Sequence, residues 1–561
     1  MGAYTSPTPQ NERTLLTRYD IWDLNEGNVA EFPLENPPGW DAVSLFYAKA
    51  LQQMGWKNPR VFPPSEGDPG FAPCHITQTW DYSESPTSYY FQAAMHWTPQ
   101  WPDRGPDQLP GPYGDWWNHC THGPASAENY FLAWHRGYIY WFEVIIRSYV
   151  QQLGGPDGWA LPYWNYSYHD ESNPEVPWPR AKLPWVFTQP QLPDGSGNPL
   201  YIPDTVRRGL QPTWPGETPP ETMYLSEMTP YYYQAYDLSD YFEFNSRLDR
   251  EPHGAVHVDV GSGDGQVSAS GWMASTITAS FDPIFWLHHS EVDRFWQGWL
   301  ADGNHNPSDP DWLSAQNDPM RTWRWNYWGD DDITHKIVVY PGQMLDPSNL
   351  SDPFLHSYRY ANLPQLPAPR PSGPAQRLAV AASRAATPAA PGTELAALQP
   401  ELAGVNAVLG MAQNVELGKE PASTSLALAP EARSLAQALL AAAPEAPARV
   451  ELVLEGVAAS GPPGNYEIYL NYPDADRRTA GTVPNFVGLL AGFGADHQHE
   501  GHAHGLTMSY DITDLVRYLE TTGGWDPAQA TVTFVPAARP RPGRELVIGR
   551  IQVANITIRT L

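Results

Sequence analysis

Seventeen histidines occur among the 561 residues, and several stand at spacings that suit metal binding. In PHGAVHVDVG, His253 and His257 are four residues apart. On a helix both imidazoles would therefore project from one face, one turn apart, the spacing at which two imidazoles bind one metal ion. Taken alone, such a pair is more often structural than metal-binding, so the interpretation depends on the other histidines.

Two aromatic segments place single histidines in apolar helical stripes. In FDPIFWLHHSEVDRFW, the sequence Asp-Pro predicts a helix start, and His289 shares a face with Phe285, Val292, Trp296 and Trp299. His288 lies about 100° around the same helix. In FLAWHRGYIYWFE, His135 lies in the stripe Phe131, Tyr138, Phe142, Ile145 and Tyr149. The pattern predicts that His135 and His289 face a core.

Further histidines precede these helices. YYFQAAMHW supplies His96, and NHCTHG supplies His119 and His122. So many imidazoles in an apolar core would leave many polar groups to satisfy, and metal coordination satisfies several of them at once. Sites made only of imidazole suit copper or zinc.

Composition limits the class of partner. Lys and Arg number 33 against 62 Asp and Glu, a net charge of −29, which argues against nucleic acid and anionic membranes as partners. We find no apolar run long enough to span a bilayer and no export signal, and therefore expect a soluble, cytoplasmic protein. Only Cys74 and Cys120 are present, so the chain is not a disulfide scaffold, although one bridge between them stays open.

The composition changes along the chain and predicts three parts. Residues 1–363 alternate Trp-rich and Tyr-rich helical stretches with Pro-rich loops. Residues 364–445 are rich in Pro and Ala, which predicts a linker with a short helical segment, SLAQALLAAA. Residues 446–561 alternate apolar and polar positions, which predicts a small β-sandwich or barrel.

Four motifs in chain order, CTHG, FLAWHRGYIYWFE, PHGAVH and FDPIFWLHHSEVDRFW, resemble the tyrosinase, catechol oxidase and polyphenol oxidase family of type-3 dicopper proteins. The resemblance spans roughly residues 75–360. It implies a mainly α copper domain built on a four-helix bundle with long loops, two copper ions, and dioxygen as co-substrate. It also extends, in the metal site, to haemocyanins.

Carried over by motif, the resemblance assigns three histidines to each copper. The first copper takes His96, His122 and His135, and the second takes His253, His257 and His289. His288 then belongs to the wall of the site. The family usually has about nine residues between the second and third ligands, whereas thirteen separate His122 from His135 here. His119 is interpreted as a loop histidine.

The resemblance also assigns roles around the metals. Cys120 is expected to form a thioether to His122, with a free thiol or a bridge to Cys74 as alternatives. Asp249 or Glu251 is expected to orient a water that deprotonates the phenol, although either could be a solvated loop charge. Gly254, where monophenol-active members often carry Asn, favours diphenol oxidation, and Val258 is expected at the entrance. Thr276, between Met273 and Ile277, is aligned with a gate residue.

The C-terminal part resembles the shielding domain of latent polyphenol oxidases. It is expected to cover the active site until a protease cuts the linker. YEIYLNYP, with Tyr466, Tyr469 and Tyr472, is one candidate plug, and strand packing is the alternative. HQHEGHAHG, with His497, His499, His502 and His504, is either a copper-binding loop or a solvated polar loop.

The leading hypothesis is a copper polyphenol oxidase that oxidises o-diphenols to o-quinones with dioxygen. Hydroxylation of monophenols is a second activity that the resemblance leaves open. The alternatives are an o-aminophenol oxidase of the same family and a haemocyanin-like oxygen carrier without turnover. The expected partners are small phenols or catechols, dioxygen and a protease that releases the C-terminal domain.

Overall fold

The structure of the protein is a computed structural model, and the residues it describes are 14–35, 38–55, 87, 89–96, 129–166, 183–202, 235–236, 238–261, 271–276, 278–314, 323–325, 337–364, 408–428, 449–479, 483–495, 505–523, 529–537 and 548–560. No helix in this part of the chain is both long and apolar enough to cross a membrane.

The chain divides into two compact units. The first contains residues 1–226, 238–249 and 269–365, and the second contains 227–237, 250–268 and 366–561. The second unit therefore includes the stretch with His253 and His257, which the sequence analysis placed in the copper domain. The domain boundary predicted at residue 363 stays a prediction.

The first unit is mainly helical, with two short two-stranded sheets. Its helices are α1 (Ile21–Asn25), α2 (Ala42–Gln53), α3 (Tyr89–Ala94), α4 (Phe131–Gln152), α5 (Tyr241–Leu248), α7 (Ile284–Ala301) and α8 (Pro310–Ser314). Its strands are β1 (Leu15–Arg18), β2 (Trp323–Trp325), β3 (Ile337–Val339) and β4 (Ser357–Tyr360). Strand β1 pairs in parallel with β4, and β2 pairs antiparallel with β3.

Helices α4 and α7 form the centre of this unit because large aromatic side chains fill the space between them. The rings of Phe142 on α4 and Trp286 on α7 stack with centroids 3.5 Å apart and planes 5° apart. Tyr47 of α2 packs edge-on against Phe142 from another side. Asp41 starts α2 by accepting the N–H of Ser44 at 2.8 Å, a cap typically worth about 1 kcal/mol.

A buried network of charges joins α4, α7, β1 and β4. On α4, Arg136 Nε donates to Asp293 Oδ1 of α7 at 2.5 Å, and Glu143 Oε2 accepts from Arg18 Nε of β1 at 2.9 Å. His356, just before β4, bonds Glu143 Oε1 through Nε2 at 2.7 Å. Burial alone would raise the pKa of Glu143, but the charge of Arg18 and the bond to His356 lower it to about 2. Glu143 is therefore ionised.

The second unit is built on one eight-stranded antiparallel sheet. Its strands are β5 (Val408–Leu417), β6 (Ala422–Leu428), β7 (Val450–Ser460), β8 (Tyr466–Leu470), β9 (Phe486–Leu490), β10 (Leu506–Asp511), β11 (Gln529–Pro536) and β12 (Arg550–Thr560). They are ordered β10-β7-β12-β5-β6-β11-β8-β9. The unit also contains α6 (Ala255–Gly261) and α9 (Thr513–Thr521).

The two end strands of this sheet lie side by side. The Tyr510 hydroxyl on β10 donates to the carbonyl oxygen of Leu489 on β9 at 2.8 Å, so the sheet curls into a barrel-like form around an apolar core. The prediction of a helical unit with a C-terminal β unit is thus confirmed. The four-helix bundle stays a prediction.

The predicted linker is partly wrong. Residues 408–428, inside the stretch expected to be linker, form β5 and β6, and β5 pairs with β12 along its length. Their alternation was hidden because Ala, Ser and Thr occupy many positions of β6. The predicted helical segment SLAQALLAAA lies outside the described residues.

We expect Glu143→Gln to lower the free energy of unfolding of the first unit at pH 7 by about 3 kcal/mol, because lowering the pKa from 4.5 to about 2 contributes about 1.36 kcal/mol per unit. The folded-state pKa lies below the unfolded one. The contribution is therefore full above about pH 4.5 in the wild type and is lost as the pH falls towards 2.

Urea unfolding at a series of pH values, followed by tryptophan fluorescence, measures this, since every Trp except Trp525 precedes residue 365. Glu451→Gln is the control, because its partly exposed pair with Arg559 contributes at most about 1 kcal/mol. If Glu143→Gln loses stability below pH 4.5 as steeply as the wild type, the assignment of the acid limb to Glu143 is wrong.

Candidate metal centre

Three of the predicted histidines lie together in the first unit. His135 lies on the first turns of α4, His289 lies on α7, and His96 follows the end of α3, and all three are buried. One ligand atom of each lies within 4.8 Å of the others. The rings of His135 and His289 stack with centroids 4.0 Å apart and planes 8° apart. Such a group can hold a metal ion.

Backbone carbonyls fix the tautomers of two of these rings. His96 Nδ1 lies 2.9 Å from the carbonyl oxygen of Thr276, and His135 Nδ1 lies 2.8 Å from that of Phe131. A carbonyl only accepts, so each Nδ1 carries the hydrogen and each Nε2 keeps the lone pair that a metal needs. The residues present therefore fit a copper ion or another metal that prefers imidazole.

An aromatic shell surrounds this three-histidine group. The Phe285 ring lies 4.8 Å from the ring of His96 and 4.2 Å from that of His289, and the Phe131 ring lies 4.7 Å from that of His135. These rings are buried, so the imidazoles lie in a largely apolar environment. Metal binding requires the neutral form of each imidazole.

The predicted pair His253 and His257 lies in the second unit. His253 occupies the π-helical turn Asp249–Gly254, and His257 lies one turn later on α6. Their rings contact each other edge-on with centroids 4.6 Å apart, and both are fully buried. The structure thus places the two imidazoles on one face, as their spacing predicts.

His288 is as buried as His289, although the apolar stripe assigned it to a different face. Its ring lies 5.5 Å from that of Tyr166, and the rings of the two neighbouring histidines are 5.2 Å apart. Helix α7 is buried on all sides from residue 284 to 296, so burial does not distinguish the face of His288 from that of His289. Its assignment to the wall of the site stays a prediction.

Neither candidate carboxylate is a solvated loop charge, because Asp249 and Glu251 are both buried. Glu251 Oε1 accepts the N–H of Leu489 on β9 at 3.2 Å. This bond engages Glu251 within the second unit. The choice between Asp249 and Glu251 as the residue that orients a water stays a prediction.

The remaining predicted residues divide into two groups. Gly254 and Val258 are buried beside the histidine pair, and Thr276 is buried beside His96. Thr276 contributes its main-chain carbonyl to His96, a contact that the alignment of its side chain with a gate residue did not predict. Residues outside the described part of the chain are Cys74, His119, Cys120, His122, Ile277, His497, His499, His502 and His504.

The sequence analysis missed Phe493. In the second unit its ring stacks on that of His257 with centroids 4.1 Å apart and planes 11° apart, and it meets His253 edge-on at 5.7 Å. The only sequence signal is a Phe between two glycines after the apolar strand β9. Of the tyrosines named as a plug, Tyr466 and Tyr469 are buried in β8 and pack as strand residues, and Tyr472 is partly exposed.

Three hydrogen bonds hold the segment with His253 and His257 against the β part of the second unit. Asn465 Nδ2 donates to the carbonyl oxygen of Ala255 at 3.1 Å and to Asp259 Oδ1 at 3.0 Å. The third is the bond from the Leu489 N–H to Glu251 described above. These buried contacts lie on both sides of His257 in sequence and limit how far Phe493 can move from its ring.

Comparison with known proteins gives a consistent picture. Residues 86–302 match the common central domain of tyrosinase, and residues 404–555 match a domain of unknown function. A tyrosinase from Hahella sp., HcTyr1, is 25% identical over 491 residues, covering 83% of this chain and 92% of that protein. A G-type haemocyanin from Enteroctopus dofleini is 26% identical over 263 residues, 44% of this chain and 8% of that protein.

The fold is also similar to that of a solved protein. The structure of latent apple tyrosinase aligns with a TM-score of 0.51 at 18% identity, covering 100% of this chain and 99% of the apple chain. At this identity the likeness concerns the fold, including the order of a helical part and a β part.

The two neighbouring histidines of α7 give a matched test. We expect His289→Ala to lower the copper content of the reconstituted protein from two ions per chain to one or fewer, because His289 lies against His135 and His96. His288→Ala should keep two ions and change substrate turnover. Elemental analysis after dialysis measures both, with circular dichroism as a check on folding. Copper loss in His288→Ala with retention in His289→Ala would reverse the assignment.

Proposed function

Because the chain belongs to the tyrosinase family, whose members hold two copper ions, we propose that it oxidises o-diphenols to o-quinones with dioxygen. The single observation that carries this proposal is the buried group of His96, His135 and His289. In the first two rings Nδ1 carries the hydrogen, which leaves Nε2 as the ligand atom.

The proposed ligand set extends this group to six imidazoles. His96, His122 and His135 would hold the first copper, and His253, His257 and His289 the second. His122 lies outside the described residues, and Cys120, proposed to be joined to it by a thioether, would fix its ring. When bound, the copper pair supplies the site for dioxygen and accepts the electrons of the substrate.

The reaction balances with two substrate molecules per dioxygen. Each o-diphenol loses two electrons and two protons to become an o-quinone, and dioxygen gains four of each to become two waters. The chain must therefore accept protons from the phenol hydroxyls. We assign the first proton to a water held by the buried carboxylate of Asp249 or of Glu251.

The finer assignment between catechol oxidase and tyrosinase rests on one small residue. Gly254 follows His253 and offers no side chain to hold a water beside Asp249. This supports oxidation of o-diphenols over hydroxylation of monophenols. Val258 and His288 would contact the substrate ring as apolar and aromatic walls.

We also propose that the second unit shields the site. The support is the stack of Phe493 on His257, which occupies the face of a proposed ligand where a substrate ring would lie. Asn465 and Leu489 hold this arrangement through buried hydrogen bonds. Proteolysis between residues 365 and 407 would release the shield.

The similarity to a haemocyanin supports a second candidate, an oxygen carrier that binds dioxygen without turnover. Both candidates require the same copper pair. They differ only in whether an oxidisable ring can reach the metals, so they are separated by substrate turnover and not by metal content.

We expect the copper-loaded protein to hold two ions per chain, to gain a near-ultraviolet absorption band with hydrogen peroxide, and to oxidise catechol much faster than tyrosine. The assays should be run before and after limited proteolysis. Failure to bind more than one copper per chain would refute the proposal. A band without catechol turnover after proteolysis would favour the carrier.

We expect Phe493→Ala to raise catechol turnover of the uncut chain by about tenfold, the factor that corresponds to about 1.4 kcal/mol, because it removes a ring stacked on His257. Phe486→Ala is the matched control, since Phe486 contacts Tyr469 within the same sheet. After proteolysis the three proteins should be equally active. Unchanged turnover in uncut Phe493→Ala, with proteolysis still activating it, would show that another group blocks the site.

A further inference from the structure

The helix that leads to His96 is too short to hold itself in place. Helix α3 spans only six residues, Tyr89–Ala94, and isolated helices of that length are unstable in water. The last carbonyls of any helix lack partners inside the helix. The position of His96 therefore depends on what contacts those carbonyls.

Two side-chain hydroxyls from other elements contact the end of α3. Ser280 Oγ donates to the carbonyl oxygen of Ala93 at 2.6 Å, and the Tyr138 hydroxyl of α4 donates to that of Gln92. The N–H of His96 also donates to Ala93, at 3.2 Å. Ser280 and Tyr138 are fully buried, so water does not compete for these carbonyls.

The segment 276–281 contacts α3 at further points. The Tyr89 hydroxyl, at the start of α3, donates to the carbonyl oxygen of Phe281 at 3.0 Å. The carbonyl of Thr276 accepts from His96 Nδ1. One six-residue segment thus contacts both ends of α3 and the imidazole itself, and Ser280 is its one side-chain donor to the helix among the described contacts.

The same segment leads directly into α7. Asp282 Oδ1 accepts the N–H of Ile284 at 3.1 Å and so begins the helix that carries His289. A displacement of Ser280 would therefore shift His96 relative to His289, whose ring centroids lie 6.2 Å apart.

From these contacts we infer that Ser280 is a positioning residue that fixes α3 and so aims His96 Nε2 at the first copper, with the Tyr138 hydroxyl in the same role. The inference rests on the proposed copper function. Groups that hold metal ligands in this way typically contribute about 10-fold to 100-fold to metal affinity. Loss of the hydroxyl also removes a hydrogen bond from a buried carbonyl.

The test compares Ser280→Ala and Tyr138→Phe with Ser148→Ala, using copper-loaded full-length protein. Ser148 is the matched control because its hydroxyl also donates to a helix carbonyl, that of Ile145 at 2.8 Å, near the far end of α4. The affinity of each of the two coppers is measured by competition with a chelator of known affinity. Circular dichroism and thermal unfolding of the copper-free proteins report the fold.

We expect both Ser280→Ala and Tyr138→Phe to weaken one copper by about 10-fold to 100-fold and leave the other unchanged. Ser148→Ala should bind both like the wild type. Substrate KM should stay near the wild-type value, and kcat at limiting copper should fall with the lost ion.

Three other outcomes would contradict the inference or the proposed function. If the wild type binds two coppers and both variants bind them with unchanged affinity, the positioning role is wrong and the proposed function stands. Equal weakening of both coppers, with a lower unfolding temperature, would show a general structural role and would also overturn the inference. If the wild type itself binds no copper pair, the proposed function fails first.

Discussion

The buried ion pair between Arg136 and Asp293 sets the register of the two helices on which the rest of the first unit depends. Arg136 directly follows His135 on α4, and Asp293 lies one turn after His289 on α7. Their bond of 2.5 Å, with the Arg136 guanidinium 3.5 Å above the ring of Trp296, allows little sliding between the helices. Because the two charged residues adjoin the two histidines, the contact that aligns the helices also stacks the imidazoles.

A buried pair of this kind is stable only when its remaining hydrogen-bonding positions are satisfied, because desolvation of each ion costs several kcal/mol. Asp293 meets this condition through the hydroxyls of Tyr358 and Tyr360, at 2.7 and 2.5 Å. Burial and the nearby Asp293 carboxylate raise the pKa of both tyrosines far above 10, so the hydroxyls stay protonated and donate. These hydrogen bonds connect strand β4 to α7. Arg18 of β1 packs over the Tyr358 ring and so connects β1 to the same group. These contacts fix the two helices that carry His135 and His289.

The sequence predicted the features that depend on local periodicity and failed where distant packing decides. The stripes of α4 and α7 predicted that His135 and His289 face a core. The same stripe could not predict the burial of His288, because α7 is covered on every side from residue 284 to 296. Thr276 was aligned with a gate residue by its side chain, yet it contacts His96 through its main-chain carbonyl. Because every residue type has that carbonyl, the sequence carries no signal of this contact. Phe493 was missed because nothing near it in sequence specifies the helix it reaches.

In the proposed shielding role, the second unit would couple Phe493 to the proposed ligand His257 through one short segment. Movement of Phe493 away from His257 would disturb the stack and the bonds of Asn465 and Leu489 to α6 and Glu251. Each buried hydrogen bond contributes about 0.5–1.5 kcal/mol and an aromatic pair a similar amount. Spontaneous opening would then cost roughly 2–6 kcal/mol, an open fraction between about 1 in 30 and about 1 in 20,000. With such a shield, the uncut chain would show measurable turnover at the lower limit of the opening free energy and almost none at the upper limit. In the proposed shielding role, latency would therefore depend on a few buried polar contacts and only in part on the ring stacked on His257.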